Sequence, residues 1–384
     1  MLIEIRKAGF VNKGAQLMLR ATMQAISTRI PSARFTMTPS SSDGDQPISS
    51  IASEGLTAKL SVARAGLELG NLARFVPSRL RSRYGVSLDR EVDVVLDAAG
   101  FCYGAPWPST NLTALATASR RWRRQGTKLI LLPQSFGDFT DSSDRTLMQR
   151  IGENCTHIFV RDDQSHRGLS NIVDADTLSA SPDFTVSLPG IAPLDPTRYR
   201  DTVAIVPNAK MLHRTDESTR NRYLPCLAEC ISIIESLGMR SAIVLHELKM
   251  DRSLGDELAA CGRSVELIVE NDPQRIKGIL GACHATIGSR YHGLVSSLSQ
   301  GVPSLATSWS HKYQQLFADY GCDENLIDVR DASTTKTAVE QLVSSDVNAS
   351  ARSRLVSAAE RHRKGAEAMW DKVAELITKP KSRP

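Results

Sequence analysis

Gly288-Ser289-Arg290-Tyr291-His292-Gly293 places a hydroxyl, a guanidinium and an imidazole within four residues. Such a set can hold an anion and move a proton. Ala285 to Ile287 reads as a short buried strand, and Leu294, Val295 and Leu298 begin an apolar helix face. Ser289, Arg290 and His292 therefore stand where a strand ends and a helix begins. In open α/β sheets ligands bind at the carboxyl ends of strands, and a helix start favours negative charge. The stretch predicts a phosphate or carboxylate site. The plainer alternative is a surface ion pair at Arg290 and a helix cap at His292. A glycine on each side and the strand-turn-helix order favour the site.

Other strand ends carry similar chemistry. Lys7 to Gly14 is a Gly-bracketed loop after the first strand, with Asn12 and Lys13 in it. It is not a G-x-G-x-x-G fingerprint, so no dinucleotide is inferred, and Lys13 reads either as a ligand group or as a solvated helix start. Asp97 ends the run from Val92 and precedes a loop with Gly100 and Gly104. It is either a cap or an acceptor for sugar hydroxyls. Gln134 and Ser135 follow Lys128–Leu132 as neutral hydrogen-bonding groups. Arg161 and Asp162 follow His157–Val160 and read as a structural ion pair or as part of a site. Four strands of this half thus end in polar loops, which describes a cleft wall. In the second half, Lys210 follows the Val203–Val206 strand, His246 and Glu247 follow Ser241–Leu245, and His311 and Lys312 follow Pro303–Thr307.

The elements that position these groups alternate strand and helix. Expected strands are Leu2–Ile5, Arg34–Met37, Val92–Asp97, Lys128–Leu132 and His157–Val160, then Val203–Val206, Ser241–Leu245, Leu267–Val269, Ala285–Ile287, Pro303–Thr307 and Leu326–Val329. Expected helices include Thr110–Arg124, Tyr223–Leu237, Pro273–Cys283, Thr334–Val343 and a long basic helix at Ser350–Ile377. Pro39 to Ser53 reads as a surface loop, and Ala58 to Arg83 as a helical stretch. The tail from Lys379 to Pro384 should fray. Leu188 to Pro196 is a stiff linker. The fold class is α/β, with two Rossmann-like domains at 1–190 and 197–346 facing across a cleft in the glycosyltransferase-B manner. The C-terminal helix at 350–378 is expected to pack back on the first domain.

Bulk properties narrow the function. A chain of 384 residues with 41% hydrophobic and 23% charged residues has room for two cores. A net charge of +5, concentrated in Arg120-Arg121-Trp122-Arg123-Arg124 and Arg361-His362-Arg363-Lys364, suits anionic small molecules and is too small to argue for nucleic acid. No apolar run approaches the ~18 residues of a membrane span, and no signal-peptide pattern opens the sequence. The 7 cysteines lack metal-ligand or disulfide spacing and read as reduced thiols, so no metal and no cofactor is expected. These features place the chain in the cytoplasm, with peripheral contact at the inner face of a membrane open to the basic helices. They leave the oligomeric state unspecified.

Taken together, Gly288–Gly293 with Gly301-Val302-Pro303 resembles the C-terminal signature of the polysaccharide pyruvyl transferases. Asn12-Lys13-Gly14-Ala15 with Leu17 and Leu19 is similar to that family's opening loop and helix. Pro133-Gln134-Ser135-Phe136-Gly137 is similar to its Gln-Ser-x-Gly element, and Val160-Arg161-Asp162 with Ser165 and Asp183 to the elements that follow. The likeness runs in order over about residues 1 to 330, departing at Ala98-Ala99, where the family is glycine-richer, and over Ser40–Gly85. It implies transfer of pyruvate from phosphoenolpyruvate onto two hydroxyls of one sugar in an exopolysaccharide or cell-surface glycan precursor, giving a ketal and phosphate. The acceptor would be a lipid-linked oligosaccharide. Ser289, Arg290 and His292, supported by Lys210 and Lys312, would bind the donor, with Arg290 and His292 also catalytic. Asn12, Lys13, Asp97, Gln134 and Arg161 would face the acceptor. Arg290→Ala is expected to abolish turnover without unfolding. Two rivals stand beside this reading. One is a nucleotide-sugar glycosyltransferase, for which Glu247 or Glu270 would have to bind ribose. The other is a non-catalytic sugar- or phosphate-binding protein.

Overall fold

Short aliphatic runs bounded by Gly, Pro and Asp form parallel strands, and the amphipathic segments between them form the covering helices. A computed structural model describes residues 1–40, 46–61, 63–64, 67–263, 265–308 and 310–380. The chain divides into two compact units. One comprises Met1–Phe10, Met18–Phe184 and Gly365–Pro384; the other comprises Val11–Leu17 and Thr185–Lys364.

The first unit holds a sheet with, among the described residues, nine strands. Its order is Leu178–Ala180, His157–Val160, Lys128–Phe136, Val94–Asp97, Leu2–Arg6, Arg34–Met37, Thr57–Leu60 and Val86–Leu88, all parallel. Phe101–Tyr103 pairs with the far end of Lys128–Phe136. From Leu2–Arg6 the chain builds outward on one side, then returns to the other side at Val94–Asp97. The two strands beside this reversal end at Arg6 and Asp97, which are paired in register. Val95, Leu129, Leu131, Ile158 and Val160 pack on Leu112, Leu115 and Trp122 of the Thr110–Gln125 helix. Each fully buried aliphatic side chain contributes about 1.5–3 kcal/mol. Gly126 ends this helix in the left-handed conformation.

The second sheet runs Glu266–Ile268, Arg240–Val244, Thr202–Val206, Ala285–Gly288, Ser304–Ala306, again all parallel. Both its faces are covered, so apolar residues of its central strands point to both sides. Val203, Ile205, Ile243 and Ile287 join one core, and Ala204, Val206, Ala242 and Val244 the other. Here the reversal lies between Thr202–Val206 and Ala285–Gly288, with Val206 opposite Gly288. All seven cysteines, each among the described residues, are free thiols.

The Ser345–Thr378 helix belongs to the second unit through Lys364 and to the first from Gly365 onward. Its distal part is fastened within the first unit. Arg29 pairs with Glu367 and Asp371 at 2.7 and 2.8 Å. Trp370 meets Phe184 edge-on, with ring centroids 5.3 Å apart, and Lys128 Nζ donates to the terminal carbonyls of Leu376 and Ile377.

Several local expectations are corrected. Ala58 to Arg83 is not one helical stretch: Thr57–Leu60 is a strand, residues 69–75 form a 3₁₀ helix, and only Ser78–Arg83 is α-helical. Lys59 explains the strand. It reaches Glu4 at 2.7 Å and Asp89 at 2.9 Å, so long-range buried pairing overrides local helix preference. Ile48–Ser53 is helical where a loop was expected, while residues 41–45 of that loop lie outside the described residues, as do residues 381–384 of the tail. Gln134 and Ser135 are inside the Lys128–Phe136 strand, not beyond it. A register shift against His157–Val160 accommodates Pro133, which has no N–H to pair. Leu326–Val329 is not a strand; Leu326 makes a single bridge to Ala306. Val86–Leu88 and Phe101–Tyr103 are strands that the periodicity does not reveal.

Candidate active site

Arg290 ends the loop after Ala285–Gly288 and precedes the Tyr291–Leu298 helix in extended conformation. Its side chain is buried against two acids. Nε donates to Asp251 Oδ2 at 2.7 Å, Nη2 donates to Asp251 Oδ1, and Nη2 lies 3.5 Å from Glu247 Oε2. This bidentate fork fixes the guanidinium plane and leaves Nη1 outside the pairing. Asp251 also accepts from the Ala209 N–H at 2.9 Å. Burial pushes the Asp251 carboxyl up and Arg290 opposes that rise. Glu247 is spoken for as well: Oε1 accepts from the N–H groups of Lys249 and Met250.

Ser289 is a strut. Its hydroxyl bonds to the Tyr223 phenol at 2.8 Å and to Thr307 at 2.6 Å. Its carbonyl accepts from Asn208 Nδ2 and the Tyr313 phenol, both at 2.7 Å. With hydroxyl and carbonyl both committed, Ser289 holds Arg290 in place more than it offers itself to a ligand. Gly293 lets the helix approach the sheet: a β-carbon there would fall 3.0 Å from Val206 Cγ1.

Asn12, Lys13 and Gly14 lie in this second unit, against His246, Glu247 and His292, rather than with Asp97, Gln134 and Arg161. The Lys13 N–H donates to the His246 carbonyl at 2.9 Å, and Asn12 bridges to Glu247. Asn12 Oδ1 accepts from the Gly14 N–H at 3.0 Å, turning the chain into the Lys13–Arg29 helix. Gly14 lies flat on the imidazole of His292; a β-carbon on it would fall 2.4 Å from Nδ1 and 2.9 Å from the His292 Cβ. Lys13 is buried in a helix first turn that carries no acid, where the helix dipole disfavours a cation. An anion at this point would reverse that cost. His246 is buried, and burial first, then the charges of His292, Arg290 and Lys13, hold its imidazole well below the usual range.

Lys210 opens a short helix after Thr202–Val206. Burial, then repulsion from Arg290 and Arg214, lowers its ammonium to about 8. Lys312 lies over the faces of Tyr291 and Tyr313 at 5.3 and 5.5 Å, and Tyr291 meets His292 edge-on at 5.4 Å. Lys13, Lys210, His246, Arg290 and His292 therefore share one local field at the point where the second sheet reverses. Among the described residues, no group of three or more His, Cys, Asp or Glu converges to hold a metal.

The other three expected residues lie in the first unit. Asp97, fully buried beside its reversal, accepts from the Tyr103 phenol at 2.9 Å and pairs with Arg6 at 3.3 Å, both through Oδ2. Burial and the Asp97 charge drive the Tyr103 phenol well above its usual range. Arg161 donates to Ser135 Oγ at 3.1 Å and to Asp183 Oδ2 at 3.0 Å, a buried structural pair. Asp162 caps the Asp163–Ser170 helix through the Ser165 N–H. Gln134 differs from these. Its amide is buried, and neither Oε1 nor Nε2 finds a partner among the described residues; Asp97 Oδ1 is in the same condition. Buried amides are almost always satisfied, which sets these atoms apart from their neighbours.

The model of the Polysaccharide pyruvyl transferase family matches residues 12–311 of this chain. The chain belongs to that family. This pyruvyl transferase family member also shares its fold, at low identity, with solved epimerase and glycosyltransferase structures. A putative UDP-N-acetylglucosamine 2-epimerase of Listeria monocytogenes is 11% identical with a TM-score of 0.61, over 99% of this chain and 97% of that one. A UDP-GlcNAc 2-epimerase of Neisseria meningitidis gives 12%, 0.58, 99% and 100%, and a glycosyltransferase of Rickettsia africae ESF-5 gives 10%, 0.59, 98% and 98%. These likenesses establish the glycosyltransferase-B-like fold alone.

Within the pyruvyl transferase signature, the sequence singles out Arg290, His292 and Lys13 as candidates but does not show what holds them. Asp251 precedes the Arg252–Ala259 helix, and its carboxylate serves Arg290 and makes no side-chain cap bond. Tyr223, within the Glu217–Ser236 helix, reaches Ser289, and Gly14 packs on His292. Only their long-range neighbours reveal their roles.

Proposed function

We propose that this protein transfers pyruvate from phosphoenolpyruvate to a sugar diol. The donor carries a phosphate and a carboxylate, and the observation that supports it best is the convergence of Arg290, Lys210, Lys13, His246 and His292 around one sheet reversal. Arg290 Nη1 and the two ammonium groups would hold the anionic oxygens, preorganised by Asp251, Glu247 and Ser289 so that little reorganisation remains for the reaction. Protonation of the methylene carbon makes C2 electrophilic, and we assign that proton to His292. One sugar hydroxyl then bonds to C2 and gives up its proton. The second hydroxyl bonds to C2 as the C–O bond to phosphate breaks, its proton passing to phosphate. The products are a methyl-bearing cyclic ketal and inorganic phosphate. Gln134 and Asp97, with unmatched polar atoms, suit the hydroxyl-rich acceptor, which we place on a lipid carrier.

The nucleotide-sugar alternative needs a free carboxylate for ribose hydroxyls. Glu247 is committed to Arg290 and two backbone amides, and Glu270 to the N–H groups of Asn271 and Asp272. The test is phosphate release from phosphoenolpyruvate with a galactose- or glucose-containing lipid-linked acceptor, run beside turnover of UDP-sugars. Release with ketal formation is expected. Turnover of the UDP-sugar alone would overturn the reading.

A further inference from the structure

The basic run Arg120–Arg124 divides in the fold. Trp122 is buried, donating to Asp89 at 3.1 Å; Arg121 pairs with Asp89 at 3.0 Å; and Arg123 bonds to the Glu153 carbonyl. Arg120 and Arg124 remain on the rim of an open groove of about 1200 Å³, which Leu72, Arg74 and Arg150 also line. Glu153 is the one acid among the described residues that line it. Beyond the groove the chain exposes what soluble surfaces normally cover. Leu72 is 62% exposed, Phe75 76%, Leu80 45% and Tyr84 71%. Leu72 and Phe75 lie three apart on the 3₁₀ helix, so they share one face, and Leu72 ties that face to the groove. Among the described residues, Arg74, Arg79, Arg83, Arg120, Arg124 and Arg150 make no ion pair with a carboxylate.

We propose that residues 72–84, with Arg120, Arg124 and Arg150, form a surface that docks on an anionic lipid bilayer. Single apolar side chains standing among guanidiniums match the boundary between acyl chains and headgroups: Phe75, Leu72 and Leu80 enter, and the arginines meet the anionic headgroups. Charge complementarity chooses this occupant. Two copies of this face would bring unpaired cations against each other, which disfavours self-association. The surface lies in the first unit, and the inference does not depend on the pyruvyl reading.

The test is flotation of the full chain with vesicles of phosphatidylcholine alone and with phosphatidylglycerol added. Binding should require phosphatidylglycerol and weaken with salt. The pair Leu72→Ser/Phe75→Ser and the pair Arg120→Glu/Arg124→Glu should each lower partitioning at least about tenfold. Both pairs sit on exposed positions and should keep the wild-type circular dichroism melt. If either melts early, Phe75→Trp serves instead, with an emission blue shift expected only with anionic vesicles. The proposal is overturned by no binding to either vesicle, by equal binding to both, or by indifference to both variant pairs. It is also overturned by an unshifted indole emission from Phe75→Trp, or by a concentration-dependent dimer that Phe75→Ser dissolves.

Discussion

The two sheets reverse direction in the same way, yet their reversal points are furnished oppositely. In the second unit the point gathers cations and fastens them. Arg290 is forked onto Asp251, Ser289 is held by Tyr223 and Thr307, and Gly14 is pressed on His292. In the first unit the point is centred on Asp97, with Tyr103 and Arg6 on one oxygen, and Gln134 nearby keeps a buried amide unsatisfied. The difference teaches that shared topology supplies only the place. Side-chain charge makes the two places chemically different, one cationic and one centred on a carboxylate and an amide.

The largest effects should come from the buried pairs. Arg290→Ala leaves Asp251 charged and unpaired, so the enzyme should lose about 3–5 kcal/mol in denaturant unfolding as well as all turnover. This revises the expectation that the change would spare the fold. Arg161→Ala strands Asp183 and should cost a similar amount, but donor binding should survive in whatever fraction stays folded. Equal loss of donor binding in both variants would erase the contrast between the two points.

Gly14→Ala drives a methyl into His292 and should cost about 1–3 kcal/mol of stability. Turnover should fall further than stability, because His292 must move; an active variant would show that its position is uncritical. Gln134→Leu removes an unsatisfied amide, so stability should hold or rise by up to about 1–3 kcal/mol while the KM for acceptor rises. A loss of stability on unfolding would mean the amide is satisfied after all.

The smallest effect is a pH signature. Lys210 in the folded protein sits at about 8, below its ordinary value. Between the two values the unfolded chain keeps a proton that the native chain has released, so this group makes stability rise with pH across that window. Below about 8 its penalty is fully present. The difference between wild type and Lys210→Met in denaturant unfolding should show this slope. A bound anion favours the ammonium, so donor binding should weaken as pH rises through about 8, and Lys210→Arg should remove that inflection.

Much of this was legible in the sequence. Strands at Leu2, Arg34, His157, Val203 and Ala285 follow from apolar runs, and the Gly-Ser-Arg-x-His-Gly stretch lies at a strand end before a helix, as its pattern predicts. What was not legible depends on partners far along the chain. Lys59 turns a helical-looking segment into a strand by reaching Glu4 and Asp89. Pro133 sits within a strand because a neighbouring register shift excuses its missing N–H. Lys13 and Gly14, read as belonging with the first half, lie with the second unit because Asn12 and Lys13 bond to Glu247 and His246. No local pattern encodes such choices.

The most direct test of the central claim is calorimetric titration of the 384-residue chain with phosphoenolpyruvate, repeated with UDP as competitor and on Arg290→Lys. Arg290→Lys keeps a charge for Asp251 and removes the guanidinium fork. Phosphoenolpyruvate should bind without interference from UDP, and the variant should bind it at least about tenfold more weakly. Tight UDP binding that Arg290→Lys weakens, with no heat from phosphoenolpyruvate, would contradict the assignment of this anion site to a pyruvyl donor.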